Sequence, residues 1–178
     1  MFELFKQDAA RWVIPQQVAD SSKLTFPQIL RLLYYHMPLR TMFWYRLGSW
    51  LVQKRIPLMK GFFQRALYRW GGVEISPGAD IAGGLYIAHP IGSVISPERI
   101  GKNCTIIHSV TIGMRNEWAF PVIGDNVFIG AGARILGGIR IGDNAIIGAN
   151  AVVIHDVPDN TTVVGIPAKA IIAKEATL

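Results

Sequence analysis

A parallel β-helix preceded by a short helical segment is the fold class this sequence predicts, and three observations carry the prediction. Aliphatic residues recur every six positions from Ile75: Ile75, Ile81, Ile87, then Val94, Ile100, Ile106, Ile112, then Ile123, Ile129, Ile135, Ile141, Ile147 and Val153. The following residue is often glycine (Gly101, Gly113, Gly124, Gly130, Gly142, Gly148), and the fifth position is small or aliphatic (Ala79, Cys104, Val110, Val127, Ala133, Ala145, Ala151). Asp125-Asn126 and Asp143-Asn144 fall at the bends, where Asn and Gly tolerate unusual backbone angles. A period of six matches neither an amphipathic helix nor an alternating strand, and it is a signature of solenoids.

The chain divides at that change of pattern. Its 178 residues suffice for one core with an appendage, not for two ordinary domains. Residues 1–73 read as a helical, basic and aromatic segment, residues 74–169 as the repeat domain, and residues 170–178 as a tail. Within the first segment, 24–70 reads as two or three helices broken at Pro27, Pro38 and Pro57. From Ser21 to Val73 there are nine basic residues (Lys23, Arg31, Arg40, Arg46, Lys54, Arg55, Lys60, Arg65, Arg69) and no acidic one, together with eleven of the eighteen aromatics. Two readings stand side by side. In one, the aromatics cover the end of the repeat domain and the cations form its solvated face. In the other, residues 21–73 lie on an anionic bilayer. No recognised nucleic-acid module is present.

No apolar stretch is long enough and charge-free enough to span a membrane, and Met1 to Ala10 carries Glu3, Lys6 and Asp8 where a leader would be apolar. The expected location is the cytoplasm, with peripheral contact at the inner face of the membrane as a further option. The single cysteine, Cys104, has no partner for an internal disulfide.

Three hexapeptides, each a short strand and a bend, close one triangular coil, and stacking the coils buries the aliphatic columns. Two interruptions break the register. One is a single residue near Ser93. The other is five residues that turn Gly113 to Val122 into a loop (Met114-Arg-Asn-Glu-Trp-Ala-Phe-Pro121). Such insertions emerge on one side of a solenoid and commonly carry function.

The segments Glu74-Ile-Ser-Pro-Gly-Ala-Asp-Ile81, Tyr86-Ile-Ala-His89, Ser109-Val-Thr-Ile-Gly113, Ile129-Gly-Ala-Gly-Ala133, Ile147-Gly-Ala-Asn-Ala151 and Val164-Gly-Ile-Pro-Ala-Lys169 resemble the hexapeptide-repeat acyltransferases. The resemblance is to the branch that holds serine acetyltransferases and colanic-acid-type exopolysaccharide O-acetyltransferases. It implies a left-handed coil, a homotrimer with sites between neighbouring subunits, and acetyl-CoA as donor; no metal is expected. It also implies a catalytic histidine with an acidic residue fifteen positions earlier, and His89 and Glu74 have that spacing. The acidic partner is Asp in serine acetyltransferases and Glu in the colanic-acid type.

Imidazole suits the base that takes a hydroxyl proton near neutral pH. On the repeat register, Glu74 ends one face of its coil and His89 lies on the same face of the next, so the carboxylate can hold the ring and stabilise its cation. His108 falls in the same column one coil later, followed by Ala131 and Ala149. These small residues suggest a groove for the pantetheine arm, with Met114 and Lys169 as further cofactor contacts by resemblance. His108, Trp118 and Phe120 are the expected acceptor contacts.

The Asp before the catalytic histidine and the Arg-His-Pro that ends the loop of serine acetyltransferases have no counterpart here, where Ala88 and Ala119-Phe120-Pro121 stand. Serine's charges then lack evident partners, and a sugar hydroxyl in polysaccharide biosynthesis is the expected acceptor, with serine the alternative. A non-catalytic scaffold and a zinc carbonic-anhydrase-like protein are further alternatives. The second lacks a third histidine ligand, because His155 lies on another face and His36 in the helical part.

Overall fold

A computed structural model of the chain describes residues 1–15 and 17–171, so the expected tail falls outside the described residues beyond Ile171. Among the described residues four α-helices come first: α1 (Phe2–Ala10), α2 (Phe26–Tyr35), α3 (Met37–Gln53) and α4 (Met59–Ala66), the last running into a π turn at Leu67–Gly71. Pro27 and Pro38 begin helices instead of breaking them. Each lies in the first turn, where a missing N–H costs no intrahelical bond. Gln28 closes the start of α2 by accepting from the Thr25 N–H at 2.9 Å. The helix α1 lies in the segment read as helical but outside the stretch 24–70 in which separate helices are expected, because no repeat and no proline marks its bounds.

Among the described residues fifteen short strands follow and stack into three sheets, which are the sides of a triangular prism. The first holds β1 (Glu74–Ile75), β4 (Val94–Ile95), β7 (Thr111–Gly113), β10 (Arg134–Leu136) and β13 (Val152–Val153). The second holds β2 (Asp80–Ile81), β5 (Arg99–Ile100), β8 (Val122–Ile123) and β11 (Arg140–Ile141). The third holds β3 (Tyr86–Ile87), β6 (Thr105–Ile106), β9 (Phe128–Ile129), β12 (Ile146–Ile147), β14 (Thr162–Val164) and β15 (Lys169–Ala170). All pairings are parallel except β14 with β15, which closes the last coil.

The inward columns are buried isoleucines that end in a valine: Ile75, Ile95, Ile112, Ile135 and Val153 line the first side. Each such side chain contributes about 1.5–3 kcal/mol by leaving water. One position of the predicted register is corrected here. Val94 faces outward, 39 % exposed, and Ile95 takes the inward place between Ile75 and Ile112. The corner before β4 therefore carries two extra residues and the next corner one fewer, a pair of offsets that periodicity alone reads as one insertion.

At the bends Asn126, Asn144 and Asn160 all adopt left-handed backbone angles. Their side chains form a ladder, Asn126 Nδ2 donating to Asn144 Oδ1 at 3.2 Å and Asn144 Nδ2 to Asn160 Oδ1 at 3.1 Å. A parallel ladder runs through Asp125, Asp143 and Asp159, each carboxylate accepting a backbone N–H of the coil below.

The helices cover one end of the prism. Met42, Tyr45 and Leu67 join the same buried cluster as the isoleucine columns. Two arginines fasten this layer. Arg46 on α3 donates to both oxygens of buried Asp8 on α1, at 2.7 and 2.9 Å, and to the carbonyls of Ile81 and Ala82. Asp8 also accepts the Leu85 N–H. Arg11 donates to the carbonyls of Gly84 and Asn103 and to Thr105 Oγ1. Arg46, counted above among the cations of a solvated or lipid-facing surface, is thus only 4 % exposed and serves the interior. Among the described residues, no helix is long and apolar enough to cross a membrane.

Candidate active site

His89 lies just beyond β3, at the corner where the third side of the prism turns into the first. Because Ile87 pairs with Ile106 and Ile106 with Ile129, residues two places further on also stack. The column reads His89, His108, Ala131, Ala149, as the repeat spacing predicts. The His89 N–H donates to Ile107 O at 3.2 Å, Gly132 N–H to His108 O at 2.9 Å, and Asn150 N–H to Ala131 O at 2.8 Å. The two imidazoles stand 6.5 Å apart between ring centroids, inclined by 63°, and both are exposed. Above them the two alanines present only methyl groups, so the corner backbone is open to a long thin ligand. Gly165 continues the column, its carbonyl accepting from Val152 N–H. Lys169 pairs with Val164 beside it, exposed at that end.

Glu74 is the first residue of β1, on the first side, so it does not share a face with His89 as the register suggested. The two meet at a corner instead. Gly92 N–H donates to Gly72 O at 2.8 Å, which sets the turn after His89 directly on the turn before Glu74. No side-chain hydrogen bond joins them in this conformation. The Glu74 carboxylate instead accepts from Gln64 Nε2 of α4 at 3.2 Å. Sequence reasoning missed Gln64, since a lone glutamine in a helix carries no signal.

It also missed two residues behind His108. Ser109, in a left-handed conformation, places its hydroxyl 3.3 Å from His108 Nδ1. Arg134 on β10 donates to the carbonyls of Ser109 and Gly132 and so ties that corner to the next coil.

The inserted loop emerges at a different edge. Arg115 and Ala119 approach Gly137 and Gly138 at the corner between the first and second sides, beside a recess of about 220 Å³ that Leu136, Ile139 and Ile154 also line. Trp118 is 83 % exposed and meets Phe120 edge to face at 5.3 Å, and Met114 is half exposed. From His108 to Met114 the chain runs along β7 for about 20 Å, at roughly 3.3 Å per residue. Within one chain, therefore, Met114, Trp118 and Phe120 are not brought to the His89 column. Among the described residues there is also no cluster of three side chains able to hold a metal.

Residues 120–155 match the bacterial transferase hexapeptide family (six repeats), which sets the class: a transferase built on stacked hexapeptide coils. A serine acetyltransferase of Helicobacter pylori is 40 % identical over 135 residues, spanning 71 % of this chain and 77 % of that protein. One from Synechococcus elongatus is 38 % identical over 131 residues, and there the match spans only about half, 54 %, of the relative. The crystal structure of the Neisseria gonorrhoeae serine acetyltransferase in complex with serine superposes with a TM-score of 0.79 at 36 % identity, covering 96 % of this chain and 69 % of that one. The chain belongs to the serine acetyltransferase family. The expected sugar acceptor, and the place in polysaccharide biosynthesis that went with it, are overturned by these likenesses. That expectation weighed three missing charged side chains, at positions 88, 119 and 120, and took no account of charged groups elsewhere in the same loop.

Proposed function

We propose that the protein is an acetyl-CoA-dependent serine O-acetyltransferase that works as a homotrimer, each site made from the His89 corner of one copy and the inserted loop of the next. The observation that carries this reading is the exposed column of two imidazoles and two alanines at one corner of a serine acetyltransferase fold, with the loop displaced to another edge. A site that uses both needs two chains, and a closed ring of heterologous contacts supplies them.

In this reading His89 takes the hydroxyl proton as the serine oxygen attacks the thioester carbonyl. The tetrahedral intermediate then collapses with cleavage of the C–S bond, and the imidazolium returns the proton to the leaving thiolate, giving O-acetylserine and free coenzyme A. Glu74 stabilises the imidazolium once it exchanges its Gln64 partner for the ring. His108, held from behind by Ser109, faces the acceptor with Trp118 and Phe120 of the neighbouring copy. The pantetheine arm runs over Ala131 and Ala149, bounded by Met114 of the loop, with Lys169 toward the phosphates. Arg115 and Glu117, both exposed on the loop, supply the guanidinium and carboxylate that a zwitterionic amino acid requires.

The test is release of coenzyme A thiol by the purified chain supplied with acetyl-CoA, with and without L-serine. Saturable serine-dependent release with kcat/KM of about 10⁴ M⁻¹s⁻¹ or more is expected. Thiol release that serine does not accelerate would overturn the assignment.

A further inference from the structure

We infer that the outer face of α4 is a docking surface for an anionic lipid bilayer. The face is a groove of about 610 Å³ lined by Leu58, Phe62, Arg65, Arg69 and Trp70, with Trp44 packed 6.3 Å from Trp70 at its side. Its apolar members are turned outward: Leu58 is 87 % exposed, Trp70 67 % and Phe62 53 %. The buried ring of the same helix, Phe63, and Gln64 with its bond to Glu74 mark the side turned toward the rest of the protein. Lys54 and Arg55, in the turn that precedes α4, and Lys60 in its first turn are exposed, and no residue from Ser21 to Val73 is acidic.

Cations interleaved with outward tryptophan and phenylalanine are what the headgroup layer of an anionic membrane accepts: the cations meet lipid phosphates and the rings sit at the boundary of the acyl region. The charge pattern argues against a second copy of the same face as occupant, because two such faces would set cation against cation.

The experiment is co-flotation of the full chain with phosphatidylglycerol and with phosphatidylcholine vesicles at low and high salt. Wild type is compared with Arg65→Glu/Arg69→Glu and with Phe62→Ser/Trp70→Ser. The expected result is binding to phosphatidylglycerol vesicles at low salt, weakened at least tenfold by either double substitution, while serine-dependent turnover in solution is unchanged. Absence of binding to phosphatidylglycerol at low salt would overturn the inference, as would binding that neither double variant alters. Sedimentation showing that Phe62→Ser/Trp70→Ser halves the size of the particle would give the face to a second copy and overturn it equally. Because turnover is read separately, failure here leaves the catalytic reading standing.

Discussion

At His89 the backbone does most of the positioning. Its N–H is bonded into the next coil and its ring stands over His108, so the side chain projects from a rigid corner and not from a flexible loop. Replacing it with alanine should lower kcat by about a hundredfold or more while acetyl-CoA binding, read by calorimetry, stays within about twofold, since a base acts on the acceptor proton. Glu74→Gln should cost less, because once the side chain turns from Gln64 to the ring an amide can bond it without stabilising its charge; an equal loss would make Glu74 the base. A second residue-scale expectation concerns Cys104. Burial pushes its thiol up to about 12 from an ordinary 9.0, with Sγ against Gly124 O at 3.1 Å. The folded chain keeps a proton that the unfolded chain gives up above pH 9, so this contribution to stability is complete below that pH and lost as pH rises toward 12. The fall in melting temperature between pH 9 and about 11 should be shallower in Cys104→Ala, a substitution that the same column accepts at Ala145.

At the scale of elements, the coil and the presence of a helical segment before it were legible, with α2, α3 and α4 falling within residues 24–70, but the way the helices fasten to the coil was not, for a physical reason. Each hexapeptide meets the same environment, so selection for an inward aliphatic and a left-handed bend repeats at fixed spacing and can be read without a structure. The contacts that fasten α1 and α3 to the prism happen once. Asp8, Arg11 and Arg46 look like ordinary surface charges until the fold places Asp8 and Arg46 together, the one 0 % and the other 4 % exposed. The same distinction explains the site: His89, His108, Ala131 and Ala149 follow from the period, whereas Gln64 and Arg134 reach the site across elements that no spacing links. Removing Asp8 would strand the buried guanidinium of Arg46, so Asp8→Ala should cost about 3–5 kcal/mol. For a chain of this size that is a fall of roughly 10 °C in thermal midpoint, read by circular dichroism. A fall of less than about 2 °C would show that the pair contributes little.

At the scale of the whole molecule, the residues of the proposed site stand on two edges of one prism. His89 and the alanine column occupy one, and Met114, Arg115, Trp118 and Phe120 occupy another. If catalysis needs both, one chain is half a site. The most direct measurement mixes two inactive partners, a His89→Ala chain and a chain whose residues 114–120 are replaced by a glycine-serine linker of equal length, then dissociates and reassembles them together. In randomly mixed rings from equal amounts, each contact combines an intact corner with an intact loop about one time in four, so about a quarter of the wild-type serine acetylation rate should return. Activity no greater than that of the two parents would place corner and loop in separate roles and contradict a site shared between copies.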